Sequence, residues 1–95
     1  MLDVLILERD PVISLDLADA AQTADPTARI RVLDQANAIR PERCTHAFLR
    51  VTQDTMRLAR ILSARGTRVV LLGEDRVPRE LEGMPGMMVL PFPFT

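Results

Sequence analysis

Short apolar segments recur along the chain and alternate with segments whose apolar side chains follow a helical period. The apolar segments are residues 2–7, 29–33, 46–51, 68–72 and 87–90, and each has the length of a strand. Most are nearly continuous apolar runs, which are typical of strands buried on both faces of a parallel sheet. The run at 29–33 alternates polar and apolar residues, which indicates a strand near a sheet edge.

The segment 11–22 predicts the first helix, because Ile13, Leu17 and Ala21 fall on one helical face. Asp10 stands directly before a proline at the first helical position, and aspartate is a favoured N-cap residue. We therefore expect Asp10 to cap this helix. The alternative role for Asp10 is that of an acidic ligand after the first strand.

Residues 54–64 predict a second helix, with apolar side chains on one side and arginines on the other. The segments 35–40 and 76–81 predict at most short helices, because Pro41 follows the first and Pro78 lies within the second. Strands that alternate with helical segments predict a parallel sheet with right-handed crossovers. We expect all 95 residues to form one α/β domain.

The composition narrows the classes of function. Hydrophobic residues make up 47% of the chain, charged residues 26%, and the net charge is −1, which suits a globular domain without a basic surface for nucleic acid. All 12 basic residues are arginine, which excludes mechanisms that need a lysine ammonium group. One cysteine, no signal sequence and no long apolar run predict a cytoplasmic protein that does not enter a membrane.

Three segments, 5–11, 62–73 and 89–94, resemble parts of the receiver domain of response regulators. They correspond to its first strand with the acidic turn, its third helix with the fourth strand, and its fifth strand with the closing motif. The resemblance implies a flavodoxin-like, three-layer α/β fold whose five parallel strands lie in the order 2-1-3-4-5.

The chemistry of receivers depends on residues that this chain lacks. In that family, an acidic pair and an aspartate ending the third strand hold Mg²⁺, and the aspartate accepts a phosphoryl group beside a hydroxyl residue and a lysine. The corresponding positions here are Glu8 with Arg9, Arg50, Gly73 (or Leu72 with a shift of one residue) and Phe92. One carboxylate beside two arginines would repel a divalent cation, and a guanidinium accepts no phosphoryl group. The resemblance therefore implies a pseudo-receiver that is not an enzyme and uses no metal or cofactor.

Arg50 is open to more than one interpretation. Its guanidinium could pair with Glu8 or Asp10 and fill the former metal site, or it could extend from the strand end into water. A third interpretation is a sensor site in which Glu8, Arg9 and Arg50 bind a small anion.

Cys44 and His46 invite a metal or nucleophile hypothesis. Two such residues without a second Cys or His pair are a weak zinc signature. We expect a half-buried cysteine and an ordinary surface histidine instead.

The sequence ends soon after the fifth strand, so we expect the last helix of receivers to be missing and part of one sheet face to lack cover. An interface would then form there, the alternative being that the apolar tail folds over its own sheet. The residues expected at this interface are Ile13, Leu17, Ala21, Met87, Phe92 and Phe94. We expect a phosphorylation-independent interaction module of bacterial signalling, acting as a homodimer or with a signalling protein.

Overall fold

The computed structural model of the protein describes residues 1–33 and 44–91. The predicted short helix at 35–40 lies outside the described residues, as do Phe92 and Phe94 of the tail. Within the described ranges, the chain forms one five-stranded sheet with helices on both faces. No helix in these ranges is both long enough and apolar enough to cross a bilayer.

The strands confirm the predicted topology. They are β1 (Asp3–Leu7), β2 (Arg29–Leu33), β3 (His46–Arg50), β4 (Arg68–Leu72) and β5 (Met87–Leu90). All neighbouring strands are parallel, and their order is β2-β1-β3-β4-β5, which is the predicted flavodoxin-like arrangement. In sheets of this kind, the strand order reverses between β1 and β3, and ligands bind at the carboxyl ends of the strands there.

The first helix, α1 (Pro11–Ala24), begins where the sequence predicted and runs two residues further. Asp10 caps it as expected, because the side-chain Oδ1 of Asp10 accepts a hydrogen bond from the backbone N–H of Val12 at 2.9 Å. This bond satisfies one of the donors that every helix leaves unpaired at its amino end.

The second helix, α2 (Gln53–Ala64), begins one residue earlier than predicted because two threonines cap it. The Thr52 hydroxyl accepts the Thr55 N–H at 3.1 Å, and the Thr55 hydroxyl oxygen accepts the Thr52 N–H at 2.7 Å. Between β4 and β5 the chain forms a single 3₁₀ turn, Arg79–Leu81. It starts after Pro78, since proline disfavours helical backbone in the residue before it.

The two helices cover opposite faces of the sheet. Side chains along a strand point alternately to the two faces, so each face has its own core. The core on the α2 side contains Leu5, Leu7, Ala47, Leu49, Leu58, Leu62, Val69, Leu71 and Leu81. The core on the α1 side is smaller and contains Val4, Ile6, Leu17 and Leu72, with partly buried apolar residues packed against it.

On its own face α1 packs over β1 and β2, so in the described part of the chain no helix lies over the other half of that face. We call the side chains of Phe48, Val70, Met88 and Leu90 the β3–β5 surface. They are contiguous, because Val70 is the register partner of both Phe48 and Met88. Phe48, Val70 and Leu90 are half-buried, and Met88 is 55% exposed.

Candidate functional site

The predicted receiver pocket lies at the carboxyl ends of β1 and β3. Leu7 and Leu49 are register partners in these adjacent strands, so the next residues, Glu8 and Arg50, emerge side by side. The Nε of Arg50 donates a hydrogen bond to Oε2 of Glu8 at 2.9 Å. Of the interpretations open for Arg50, the structure therefore shows the internal ion pair, with Glu8 as the partner.

The carboxylate of Glu8 is buried, and both of its oxygens accept hydrogen bonds. Its side chain is 4% exposed, whereas the side chain of Arg50 is 43% exposed. The second oxygen, Oε1, accepts the backbone N–H of Asp10 at 3.1 Å. Each oxygen of this carboxylate, the one that is buried in the described part of the chain, thus has a donor, and a cation approaching it would meet the guanidinium of Arg50.

The other predicted pocket positions supply no receiver chemistry. Arg9 is exposed. Gly73 follows β4 with φ of 79°, a conformation that suits glycine, and its N–H donates to the carbonyl of Leu90 at 2.8 Å. Phe92 lies outside the described residues. Among residues 1–33 and 44–91, no three His, Cys, Asp or Glu side chains are grouped so that they could hold a metal ion.

The Glu8–Arg50 pair limits the metal-binding and phosphoryl chemistry of these two strand ends. A Mg²⁺ site needs several anionic oxygens, and a phosphoryl acceptor needs a free carboxylate. Glu8 is held by a guanidinium that stays protonated, and Arg50 itself occupies the acceptor position. The pair ties the end of β1 to the end of β3, and neither of its side chains is a free carboxylate.

Cys44 and His46 lie at the opposite, amino edge of the sheet, in an open cleft of about 580 Å³ that Arg68 also lines. Cys44 packs into the α2-side core, where burial raises the pKa of its thiol, and its Sγ lies 3.8 Å from the Thr67 hydroxyl. His46 is half-buried rather than a surface residue, and its Nδ1 lies 3.0 Å from the Thr45 hydroxyl. By strand alternation His46 faces the α1 side, so the two side chains do not converge on one ligand.

The predicted interface residues separate into two groups. Ile13 and Ala21 are half-buried at the edge of the α1-side core, but Leu17 is only 8% exposed, so the sheet of its own chain already covers it. Met87 packs into the α2-side core, on the face away from α1, because consecutive strand residues point to opposite faces. The exposed methionine of β5 is its neighbour Met88.

Sequence reasoning missed two exposed apolar residues of α1. Val12 is 66% exposed and Leu15 is 67% exposed, on the side of the helix away from the sheet. The signal was present in the sequence, because both lie outside the helical stripe formed by Ile13, Leu17 and Ala21.

Comparisons with known proteins identify no family for this chain. No protein-family model matches the chain, and no match was found among curated proteins or among solved structures. The structure shows the flavodoxin-like order of the strands, and the resemblance to receivers stays a prediction from the sequence.

Proposed function

We propose that this protein is a phosphorylation-independent interaction module built on a receiver-like fold. The observation that carries the proposal is the hydrogen bond of 2.9 Å between Arg50 Nε and Glu8 Oε2. It places a permanent cation where a receiver would hold its metal ion and its phosphoryl acceptor. The one carboxylate that is buried in the described part of the chain is thus already paired with Arg50.

An interaction role also accounts for the apolar surface of the molecule. Val12 and Leu15 lie one turn apart on α1 and Met88 lies on β5, and all three apolar side chains are more than half exposed. The partner on this proposal is a second copy of the chain or another signalling protein.

A sensor for small anions, the alternative function, is less well supported. It requires Arg9 and Arg50 to face a ligand together. Arg9 is exposed, and Arg50 already hydrogen-bonds to Glu8, so an anion would have to compete with a buried carboxylate. We therefore retain the interaction module as the proposed function.

Intact-mass spectrometry after incubation with acetyl phosphate and Mg²⁺ tests the proposal. We expect the mass to stay unchanged, while a phosphorylatable receiver treated alongside gains one phosphoryl group. A stable phosphorylated species that maps to Glu8 or Asp10 would overturn the proposed function.

A further inference from the structure

The exposed apolar residues of α1 lie on the side of the helix that faces away from its own sheet. Ser14 and Leu17 are the buried residues of the helix. With 3.6 residues per turn, Val12 and Leu15 fall on the opposite side, where they are 66% and 67% exposed. The helix is therefore apolar on its inner side and carries an apolar patch on its outer side.

The β3–β5 surface lies beside α1 as a recess of matching size. A helix is about 10 Å thick, so the outer side of α1 stands about one helix diameter above this surface. Three strands spaced about 4.8 Å apart span roughly the width of one helix. The recess is thus about as wide as one helix; Met88 within it is 55% exposed, whereas Leu72, the register partner of Leu90 at its carboxyl end, is buried.

The recess and the outer side of α1 carry opposite charge. Arg68 lies at the amino end of β4 and, by strand alternation, on the same face as Val70, so its guanidinium makes this end of the recess basic. Asp16 and Asp19 are exposed on α1 and project outward with Val12. An acidic helix with an apolar patch therefore matches an apolar recess with a basic end.

We propose that a second copy of this chain fills the recess, with α1 of each protomer lying on the β3–β5 surface of its partner. The inference rests on the proposed function, because it names the partner of the interaction module. The two α1 helices would lie side by side between two sheets that face each other. Such an isologous arrangement covers both apolar patches at once and closes the assembly at two chains.

The symmetry of this dimer follows from the fold. A right-handed crossover places α1 over the β1–β2 half of the sheet and leaves the β3–β5 half beside it. Only a two-fold axis parallel to the strands sets each helix over the open half of the other sheet. A two-fold axis perpendicular to the strands and parallel to the sheets would instead place the α1 helices of the two protomers against each other.

The same axis brings the charges together. α1 runs from the carboxyl edge of its sheet to the amino edge, so Val12 and Leu15 lie near the carboxyl edge and Asp19 near the amino edge. A two-fold axis parallel to the strands keeps the two amino edges level. Asp19 then faces Arg68 of the partner subunit.

Sedimentation equilibrium of the full chain at micromolar concentrations tests the dimer. We expect a reversible dimer in the wild type and at least a tenfold weaker one in Leu15→Asp, which places a charge in the apolar contact. Ile61→Asp is the matched control, because Ile61 is 38% exposed on α2, at the other face of the sheet. A wild-type monomer, or equal weakening by both variants, would overturn the inference and would indicate that the chain covers its own surface or binds a different protein.

A charge exchange tests the orientation. Asp19→Arg and Arg68→Asp should each weaken the dimer about tenfold, and the variant with both changes should recover most of the wild-type affinity. Two single effects that merely add in the double variant would contradict the two-fold arrangement. Failure of the dimer leaves the phosphate experiment on the proposed function unaffected, and phosphate uptake would refute that function even if the dimer forms.

Discussion

Arg50 and Glu8 are 42 residues apart in the chain, yet the guanidinium of one donates to the carboxylate of the other at 2.9 Å. The pair is asymmetric, since the Glu8 side chain is 4% exposed and that of Arg50 is 43% exposed. Glu8 therefore depends on Arg50 for its counter-charge, whereas Arg50 is also in contact with water. The pair links the ends of two central strands and fixes their chemistry.

Removing one member of this pair should cost more than removing both. Arg50→Ala leaves the buried Glu8 carboxylate without its counter-charge, although the Asp10 N–H still donates to it. We expect the free energy of unfolding to fall by about 1–3 kcal/mol. The double variant with Glu8→Gln removes the uncompensated charge and should lose less than Arg50→Ala alone. Urea unfolding of the four proteins in a double-mutant cycle gives the coupling energy. A coupling energy near zero would contradict the importance of the pair.

Arg50→Asp restores the acceptor residue of receivers and nothing else. Arg9 and Gly73 still stand where the family has an acid and a hydroxyl. We therefore expect no phosphorylation of this variant by acetyl phosphate with Mg²⁺, measured as intact mass. Phosphorylation of the variant at position 50 would show that the remaining edge is more receiver-like than its residues indicate.

The fold was predictable because its signals are local and agree with one another. Apolar runs gave the strands, and the Asp10-Pro11 pair gave the start of α1. The start of α2 was missed because Thr55 occupies the position where a capping box usually has Glu or Gln. Local patterns thus identify elements well and their caps less reliably.

The candidate site was only partly predictable, because its details depend on register. The sequence allowed Arg50 to pair with Glu8 or with Asp10, and the pairing of Leu7 with Leu49 in the sheet brings Arg50 to Glu8. A second example is β5, whose four residues are all apolar and show no alternation. The sequence therefore could not tell which of its methionines faces which side of the sheet.

The thiol of Cys44 should react slowly in the folded protein. Burial raises the pKa of this thiol, which lowers the fraction of reactive thiolate, and the packing of Cys44 in the α2-side core limits access. We expect reaction with an aromatic disulfide reagent at pH 8 to be at least tenfold slower in buffer than in urea, where the unfolded chain provides the control. Equal rates in the two conditions would contradict the burial of Cys44.

Asp25 should make stability depend on acid. A hydrogen bond from the Thr27 hydroxyl, with further bonds from the backbone N–H groups of Leu2 and Thr27, lowers the pKa of the Asp25 carboxyl from 3.8 to about 2. Because the folded-state pKa is the lower one, this contribution is present above pH 3.8 and is lost as the pH falls through about 2. It should be absent in Asp25→Asn.

Urea unfolding at a series of pH values from 6 to 2 measures this effect. The gap in stability between the wild type and Asp25→Asn should narrow as the pH falls. Asp75→Asn, which removes an exposed carboxylate in the loop after β4, controls for the loss of one negative charge. A gap that stays constant over the whole series would contradict the role given to Asp25.

The proposed function and the proposed dimer together require that this chain associates without being phosphorylated. Sedimentation equilibrium of the wild type in Mg²⁺, with and without acetyl phosphate, measures this, because the two conditions then differ only in the supply of phosphoryl groups. We expect the same dimer, with the same dissociation constant, in both conditions. A protein that is monomeric alone and dimeric only with acetyl phosphate would contradict it.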